Sequence, residues 1–364
     1  MSLNIRCNSW LSSAANLSWV YVMERLLNAW ENMGHKTHIV STNGLGDGSV
    51  FSLDKMSKSL IELEKFGLGK RAIDLDITYT VPQNFPQRFL ANSKHKAAIY
   101  NYETTIWPVS NWKQYYGIVD YYFPSSNFSA EIFVRNGIPQ EKTFVIPHGV
   151  DTAMFNPDIP KINLKTKKTF KFCCVAAPHA RKNLPTLLHA YCQAFNKQDD
   201  VCLVLKTKVF KHSDGMFDAN TNPNGRKPFE IVLGDVFKEL FKKFGNNMPE
   251  IEIISNRIDN VASIYNSCQV HVTATGAEGF GMPLAEVLNC NMINIAPNYS
   301  GHLDFLNEQN SLLVDTDLRY AKREEQYWNY DPKSKIGQPR LNHLSELMIK
   351  SYKEYFVLSP KNRS

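Results

Sequence analysis

At 364 residues the chain is too long for one ordinary hydrophobic core, which argues for two domains. Its 43% hydrophobic and 21% charged residues exclude a disordered chain, and no apolar run nears the ~18 residues of a membrane span. A formal charge of +6 is mild for this size and fits an anionic small molecule or an acidic membrane surface. No basic stripe is interleaved with aromatics, so nucleic acid is not an expected partner. The opening MSLNIRCNSW lacks an apolar signal core. The seven cysteines, an odd count with Cys173, Cys174 and Cys202 in strand-like runs, read as buried thiols of a cytosolic protein. No Cys/His spacing suits zinc, so no structural metal is expected.

Residues 3–8 read as a first strand and 36–42 as a second. Between them Trp10–Asn16 is a small-residue loop. Leu17–Met33 is amphipathic, with Val20, Met23, Leu26, Leu27 and Trp30 on one face and Gly34 as its stop. The glycines of Gly44-Leu45-Gly46-Asp47-Gly48 follow the second strand, not the first, and no helix opens after them. They read as a turn rather than a dinucleotide loop. Strands are expected over 76–81 and 96–102, the latter ending in Asn101-Tyr102-Glu103-Thr104, at the sheet edge where open α/β folds place ligands. A strand reaching Phe123 leads to a helix capped by Ser125 or Ser126 and ending near Asn136-Gly137. In Pro147-His148-Gly149-Val150-Asp151, Pro and Gly then bracket a fixed bend before a new domain.

The second half opens with a basic, polar linker over 163–171 and a strand over 170–176. After the turn Pro178–Lys182, a helix starts at Asn183 and runs through Leu187, Leu188, Tyr191 and Phe195. A strand over 201–205 ends at Lys206. Residues 208–228 form a polar excursion, 229–244 a helix, 251–254 a strand and 259–265 a helix. The organising stretch follows. Val270 and Val272 mark a buried strand, Gly276–Gly281 a glycine-rich turn, and Pro283 a first helical position. Strand, glycine loop and helix N-terminus gather backbone N–H groups into an anion site. Glu278 and Glu286 add carboxylates, which accept hydrogen bonds from hydroxyls rather than bind phosphate. Amides with carboxylates suggest a ligand carrying both phosphate and sugar hydroxyls. The plain alternative is a packing corner with solvated glutamates. Past Asp317 the pattern breaks into charged and aromatic stretches before a last amphipathic helix over 341–356.

Three pieces, PHGVD at 147–151, ARKN at 180–183 and EGFGMPLAE at 278–286, resemble in order the signatures of the retaining nucleotide-sugar glycosyltransferases of family 4. Glu278 and Glu286 match that family's E-x7-E motif. The resemblance implies that Glu278 sits by the transferred sugar, that Glu286 holds the ribose, and that Gly279, Phe280, Gly281 and Met282 face the donor. It implies that Lys182 contacts the diphosphate and neutralises the departing nucleotide, so that no divalent metal or other cofactor is required. Glu103 matches a position that faces the acceptor hydroxyl in many relatives; a glutamate at a helix N-terminus is the equal alternative. Glu278, Lys182 and Glu103 are thus the catalytic candidates. His148 and Gly149 would line the cleft at the hinge, Asp151 would stabilise its turn, and His302 in the Ser300-Gly301-His302 loop would buttress. Two departures stand out. Ser12, Ser13, Ala14 and Ala15 replace glycines of the first loop, and Ala177 occupies the place of an arginine. Lys206 either substitutes for that arginine or is a solvated strand end.

The expectation is an α/β chain of GT-B fold, two Rossmann-like doubly wound domains facing a central cleft. Residues 1–155 would bind the acceptor and 156–340 the donor, while 341–364 would cross back to the first domain. The reaction would transfer a hexose from a nucleoside-diphosphate sugar to an acceptor hydroxyl with retention. The acceptor would be a glycan, a lipid-linked molecule or a protein, with peripheral membrane association as one setting for a cytoplasmic enzyme. The alternatives are a non-catalytic nucleotide-sugar-binding protein, or another enzyme on this scaffold such as a nucleotide-sugar epimerase or a phosphorylase.

Overall fold

Short apolar runs separated by polar or glycine-ended stretches cover both halves of the chain, and a strand buried on both faces needs helices on each side. The computed structural model describes residues 2–9, 18–41, 72–106, 112–208, 233–325 and 331–358. It divides into two units, Met1–Tyr102 with Trp107–Gly149, and Val150–Ser364 with Glu103–Ile106. The division thus falls between Gly149 and Val150, and four residues of the first half belong with the second.

In the first unit β1 (Asn4–Ser9), β2 (Lys36–Ser41), β3 (Leu75–Tyr79), β4 (His95–Ile99) and β5 (Tyr121–Phe123) form a five-stranded sheet in the order β2-β1-β3-β4-β5. All pairings are parallel, with Ile5 opposite both Thr37 and Leu75. Cys7, Ile77, Ala97 and Ala98 are buried within it. The helix Ser18–Asn32 packs Val22, Met23 and Leu27 inward. A second core gathers Phe85, Tyr100, Tyr102, Trp112, Tyr122 and Phe133. The helix Asn127–Arg135 is capped by Ser126, whose Oγ accepts from the Ser129 amide at 3.2 Å. Deeper in the sheet, Arg6 Nη1 meets Asp76 Oδ1 at 2.8 Å, and the Leu90 amide and Ser93 hydroxyl donate to Asp76 Oδ2.

The second unit holds β6 (Phe170–Val175), β7 (Val201–Lys206), β8 (Glu250–Ile254), β9 (Val270–Val272), β10 (Ile293–Pro297) and β11 (Leu312–Val314) in the order β11-β10-β9-β6-β7-β8. Counted within the unit, this is the doubly wound order 3-2-1-4-5-6, whose direction switches between β6 and β9. In β7, Val201 to Leu205 are fully buried, as a central parallel strand requires. The helix Leu184–Ala194 lays Leu184, Leu187, Leu188 and Tyr191 on the sheet.

Two features were not read from the sequence. The charged stretch after Asp317 contains an antiparallel hairpin of β12 (Thr316–Tyr320) and β13 (Lys335–Pro339), with Leu318 opposite Gly337. Its strands are short and half exposed, so they carry no run of apolar residues. The helix Leu341–Lys353 packs on the second unit's own sheet layer. Leu344 and Met348 join the core under the helix Leu184–Ala194, and Ser345 Oγ donates to the Ala190 carbonyl at 3.0 Å. The apolar stripe read from the sequence is satisfied by that neighbour.

Candidate active site

Ligands in open α/β folds bind at the carboxyl ends of the strands where strand order switches. In the second unit that point lies between β6 and β9. Beyond β6 the chain runs through a single tight turn, Ala180–Lys182, and Asn183 takes a left-handed conformation (φ +52°) that turns it into the next helix. Beyond β9 it runs through the glycine loop into the helix Met282–Asn289. The Gly276 amide donates to the Arg181 carbonyl at 2.7 Å, which fastens the two loops together.

The charged side chains meet there. Lys182 Nζ lies 2.5 Å from Glu278 Oε1. Arg181 Nη1 reaches Glu278 Oε2 at 3.2 Å and donates to the Ala277 carbonyl at 2.7 Å. Arg181 Nη2 reaches Glu103 Oε1 at 2.9 Å. The three catalytic candidates are therefore joined in one network through Arg181. Burial opposes ionisation of Glu278, but Lys182 and Arg181 outweigh it and hold the carboxyl well below the usual range. Glu103 is pushed up by burial, against the pull of Arg181. Burial lowers Lys182, and the Glu278 carboxylate opposes that shift. His179, buried and then repelled by Arg181 and Lys182, falls to about 3. Burial is the main cause, and the neighbouring cations add to it.

Glu286, one turn into its helix, is tied differently. It accepts a hydrogen bond from the Tyr265 hydroxyl at 2.8 Å. Burial raises its carboxyl to about 7, partly offset by that bond. Once ionised, a carboxylate there is a strong acceptor for hydroxyl groups.

The loop backbone is fixed from outside. The Glu278 amide donates to Ser300 Oγ at 2.8 Å, and the Glu278 carbonyl accepts from the Gly301 amide at 2.9 Å. His302, fully buried, bonds the Pro297 carbonyl through Nε2 at 2.7 Å and so braces the Ser300 turn. Gly281 has φ +94° with the His302 Cβ 3.2 Å from where its own Cβ would lie, so a side chain there is both strained and crowded. Gly276 touches the hairpin: the Gly337 amide donates to its carbonyl at 2.9 Å, and a Cβ on Gly337 would lie 2.8 Å from that oxygen.

The remaining sequence candidates are placed as follows. Phe280 is buried with its ring centroid 5.0 Å from that of Phe305, and Met282 is buried at the start of its helix. Gly279 lies buried between Glu278 and Phe280. Lys206 ends β7 and is lowered by burial, but takes no part in the Lys182–Glu278 network. Asp151 Oδ1 accepts from the amides of Ala153 and Met154 at 3.0 and 3.3 Å. In the first unit His148 Nε2 lies 3.4 Å from the Tyr79 hydroxyl and 3.5 Å from Asn101 Nδ2. Burial lowers this imidazole to about 4, so it is neutral near pH 7. Gly149 closes that unit. The Ser12–Ala15 loop, the Gly44–Gly48 turn and most of the 208–228 excursion lie outside the described residues.

Sequence reasoning missed Arg181, Tyr265 and Ser300. Arg181 adjoins Lys182 in the ARKN run and could have been weighed with it. Tyr265 and Ser300 meet the glutamates only through the fold. Among the described residues no cluster of three or more His, Cys, Asp or Glu could hold a metal ion, and no helix is long and apolar enough to cross a membrane.

No family model and no curated protein matches the chain. Solved structures do. It is similar to a glycosyltransferase from Rickettsia africae at TM-score 0.65 and 17% identity, over 99% of this chain and 91% of that one. It is similar to a sucrose-phosphate synthase from Thermosynechococcus elongatus at TM-score 0.64 and 16% identity, over 99% and 92%. The fold is GT-B. Anabaena HepE, solved in complex with UDP and glucose, matches this GT-B chain at TM-score 0.60 and 12% identity, over 99% and 93%.

Proposed function

We propose that the protein is a glycosyltransferase that moves a hexose from a nucleoside-diphosphate sugar to an acceptor hydroxyl with retention of anomeric configuration. The observation that carries this reading is the pairing of Lys182 with Glu278 at the strand switch, a phosphate-seeking cation on a hydroxyl-seeking carboxylate of the glycine loop, with a second carboxylate, Glu286, one turn into the helix that follows. The GT-B neighbours include structures solved with UDP and glucose, and with UDP-2-fluoro glucose, which favours a uridine nucleotide as donor carrier.

In this reading the diphosphate draws Lys182 away from Glu278. The freed carboxylate then accepts hydrogen bonds from the sugar, while Glu286 takes the ribose hydroxyls. Lys182 neutralises the charge that grows on the departing diphosphate, the work a divalent cation does elsewhere, so transfer proceeds without metal. Glu103, held by Arg181, orients the attacking hydroxyl. The leaving phosphate itself takes the acceptor's proton. The acceptor is a glycan, a lipid-linked molecule or a protein, and for the lipid-linked case the enzyme works at a membrane surface.

The test is incubation with UDP-glucose and its epimers in the presence of a chelator, scoring UDP release with and without candidate acceptors. Acceptor-stimulated release supports the reading. Tight UDP binding with no release under any condition contradicts it and favours a binding protein.

A further inference from the structure

Arg181 is absent from every role assigned so far, yet its side chain joins several parts of the site. Its Nη2 holds Glu103 at 2.9 Å, and its Nη1 holds both Glu278 at 3.2 Å and the Ala277 carbonyl at 2.7 Å. Its own carbonyl accepts from the Gly276 amide at 2.7 Å. The side chain is largely buried, as are both carboxylates. From the far side, segment Glu103–Ile106 is laced to the hairpin: the Thr105 amide donates to the Lys335 carbonyl at 3.2 Å, the Lys335 amide to Thr105 Oγ1 at 2.9 Å, and the Ile106 amide to Ser334 Oγ at 3.2 Å. Glu103 is thus clamped between the hairpin and Arg181.

The planar guanidinium can serve two carboxylates at once because its donors point along fixed directions; an ammonium is a single point charge and cannot keep both geometries. With Lys182 engaged on Glu278 Oε1, the guanidinium is the charged partner that remains on Glu278 Oε2 when a donor phosphate takes Lys182.

We infer that Arg181 is a positioning residue for transfer: it fixes Glu103 and Glu278 relative to each other, and so sets the acceptor-side carboxylate against the donor-side one, without itself binding the diphosphate. This rests on the glycosyl-transfer reading above. It makes Arg181 matter for the chemical step and not for nucleotide affinity, whereas Lys182 serves both.

The experiment compares wild type with Arg181→Lys and Arg181→Gln in three measurements: UDP affinity by calorimetry, kcat and KM for UDP-sugar turnover, and the carboxyl titrations of Glu103 and Glu278 by carbon NMR. UDP affinity stays within about threefold in Arg181→Lys while kcat falls by about tenfold or more, since charge is kept and the fork is lost. In Arg181→Gln the Glu103 titration moves upward, because burial and the Glu278 charge then act on it with the largest opposing influence gone. In the Glu103→Gln/Arg181→Gln pair kcat falls no further than in the worse single variant. Unchanged kcat in Arg181→Lys, with or without a lower melting temperature, overturns the proposal. So does a tenfold loss of UDP affinity, which would make Arg181 a phosphate ligand. If wild type binds no UDP, GDP or ADP at all, it is the transfer reading that fails, and the positioning role falls with it.

Discussion

Lys182 Nζ lies 2.5 Å from Glu278 Oε1, so the cation assigned to the donor phosphate is already neutralised by the carboxylate assigned to the donor sugar. Donor binding on this account is an exchange of partners, and the two residues should respond to mutation in opposite ways.

Lys182→Ala removes a charge-assisted contact to phosphate, of the order of 1.5–3 kcal/mol, or roughly tenfold to a hundredfold in affinity. UDP titration of that variant reads it directly. Glu278→Gln removes the competitor for Lys182, so UDP binds as tightly as to wild type or tighter, while turnover falls by about a hundredfold or more. Equal losses of UDP affinity in both variants would contradict the exchange.

The Glu286 carboxyl, raised by burial to about 7 from its ordinary 4.5, makes both stability and binding depend on pH. The folded protein holds this proton more tightly than the unfolded chain. Its contribution to stability is therefore fully present below about 4.5 and is lost as pH rises through about 7. Glu286→Gln, uncharged and of the same shape, should melt near wild type at pH 5 and above it at pH 8. Ribose hydroxyls are accepted best by the ionised form, so the UDP affinity of wild type relative to Glu286→Gln rises from pH 6 to pH 8. Parallel curves for the two proteins would remove Glu286 from the ribose site.

Away from the site, Arg6 and Asp76 form a buried pair in the first unit, and Asp76 also accepts from Leu90 and Ser93. Removing one partner strands the other charge, so Asp76→Ala costs about 3–5 kcal/mol in urea unfolding of that unit. It leaves UDP affinity unchanged where the unit stays folded.

The hairpin that meets the glycine loop is tested at Gly337. A Cβ there would come within 2.7 Å of the Tyr299 ring and 2.8 Å of the Gly276 carbonyl. Gly337→Ala costs about 1–3 kcal/mol by overpacking. It also weakens UDP binding by displacing the loop that carries Glu278. A melting temperature and UDP affinity equal to wild type would mean the contact is not tight.

The parallel sheets were legible because their strands announce themselves. Val201-Cys202-Leu203-Val204-Leu205 is an unbroken apolar run, and Val270 and Val272 precede a turn whose Gly281 takes the positive φ that favours glycine. The terminal helix was legible as amphipathic but not as to its partner: periodicity tells that Leu344 and Met348 are buried, not that they meet the helix Leu184–Ala194. The hairpin was illegible because Leu318 and Tyr320 face solvent on short strands, which reads like a loop. In the site, the glutamates and Lys182 stood in local patterns. Arg181 gained its meaning only when the fold brought Glu103 and Glu278 to it, and Tyr265 meets Glu286 across 21 positions of sequence.

The most direct measurement is calorimetric titration of UDP, with chelator present, into wild type, Lys182→Ala and Glu286→Ala. The account predicts micromolar binding to wild type, weakened at least about tenfold, or about 1.4 kcal/mol, in each variant. Absence of binding to wild type would mean that the protein is not a UDP-sugar transferase, and affinity indifferent to both residues would mean that the glycine loop is a packing corner.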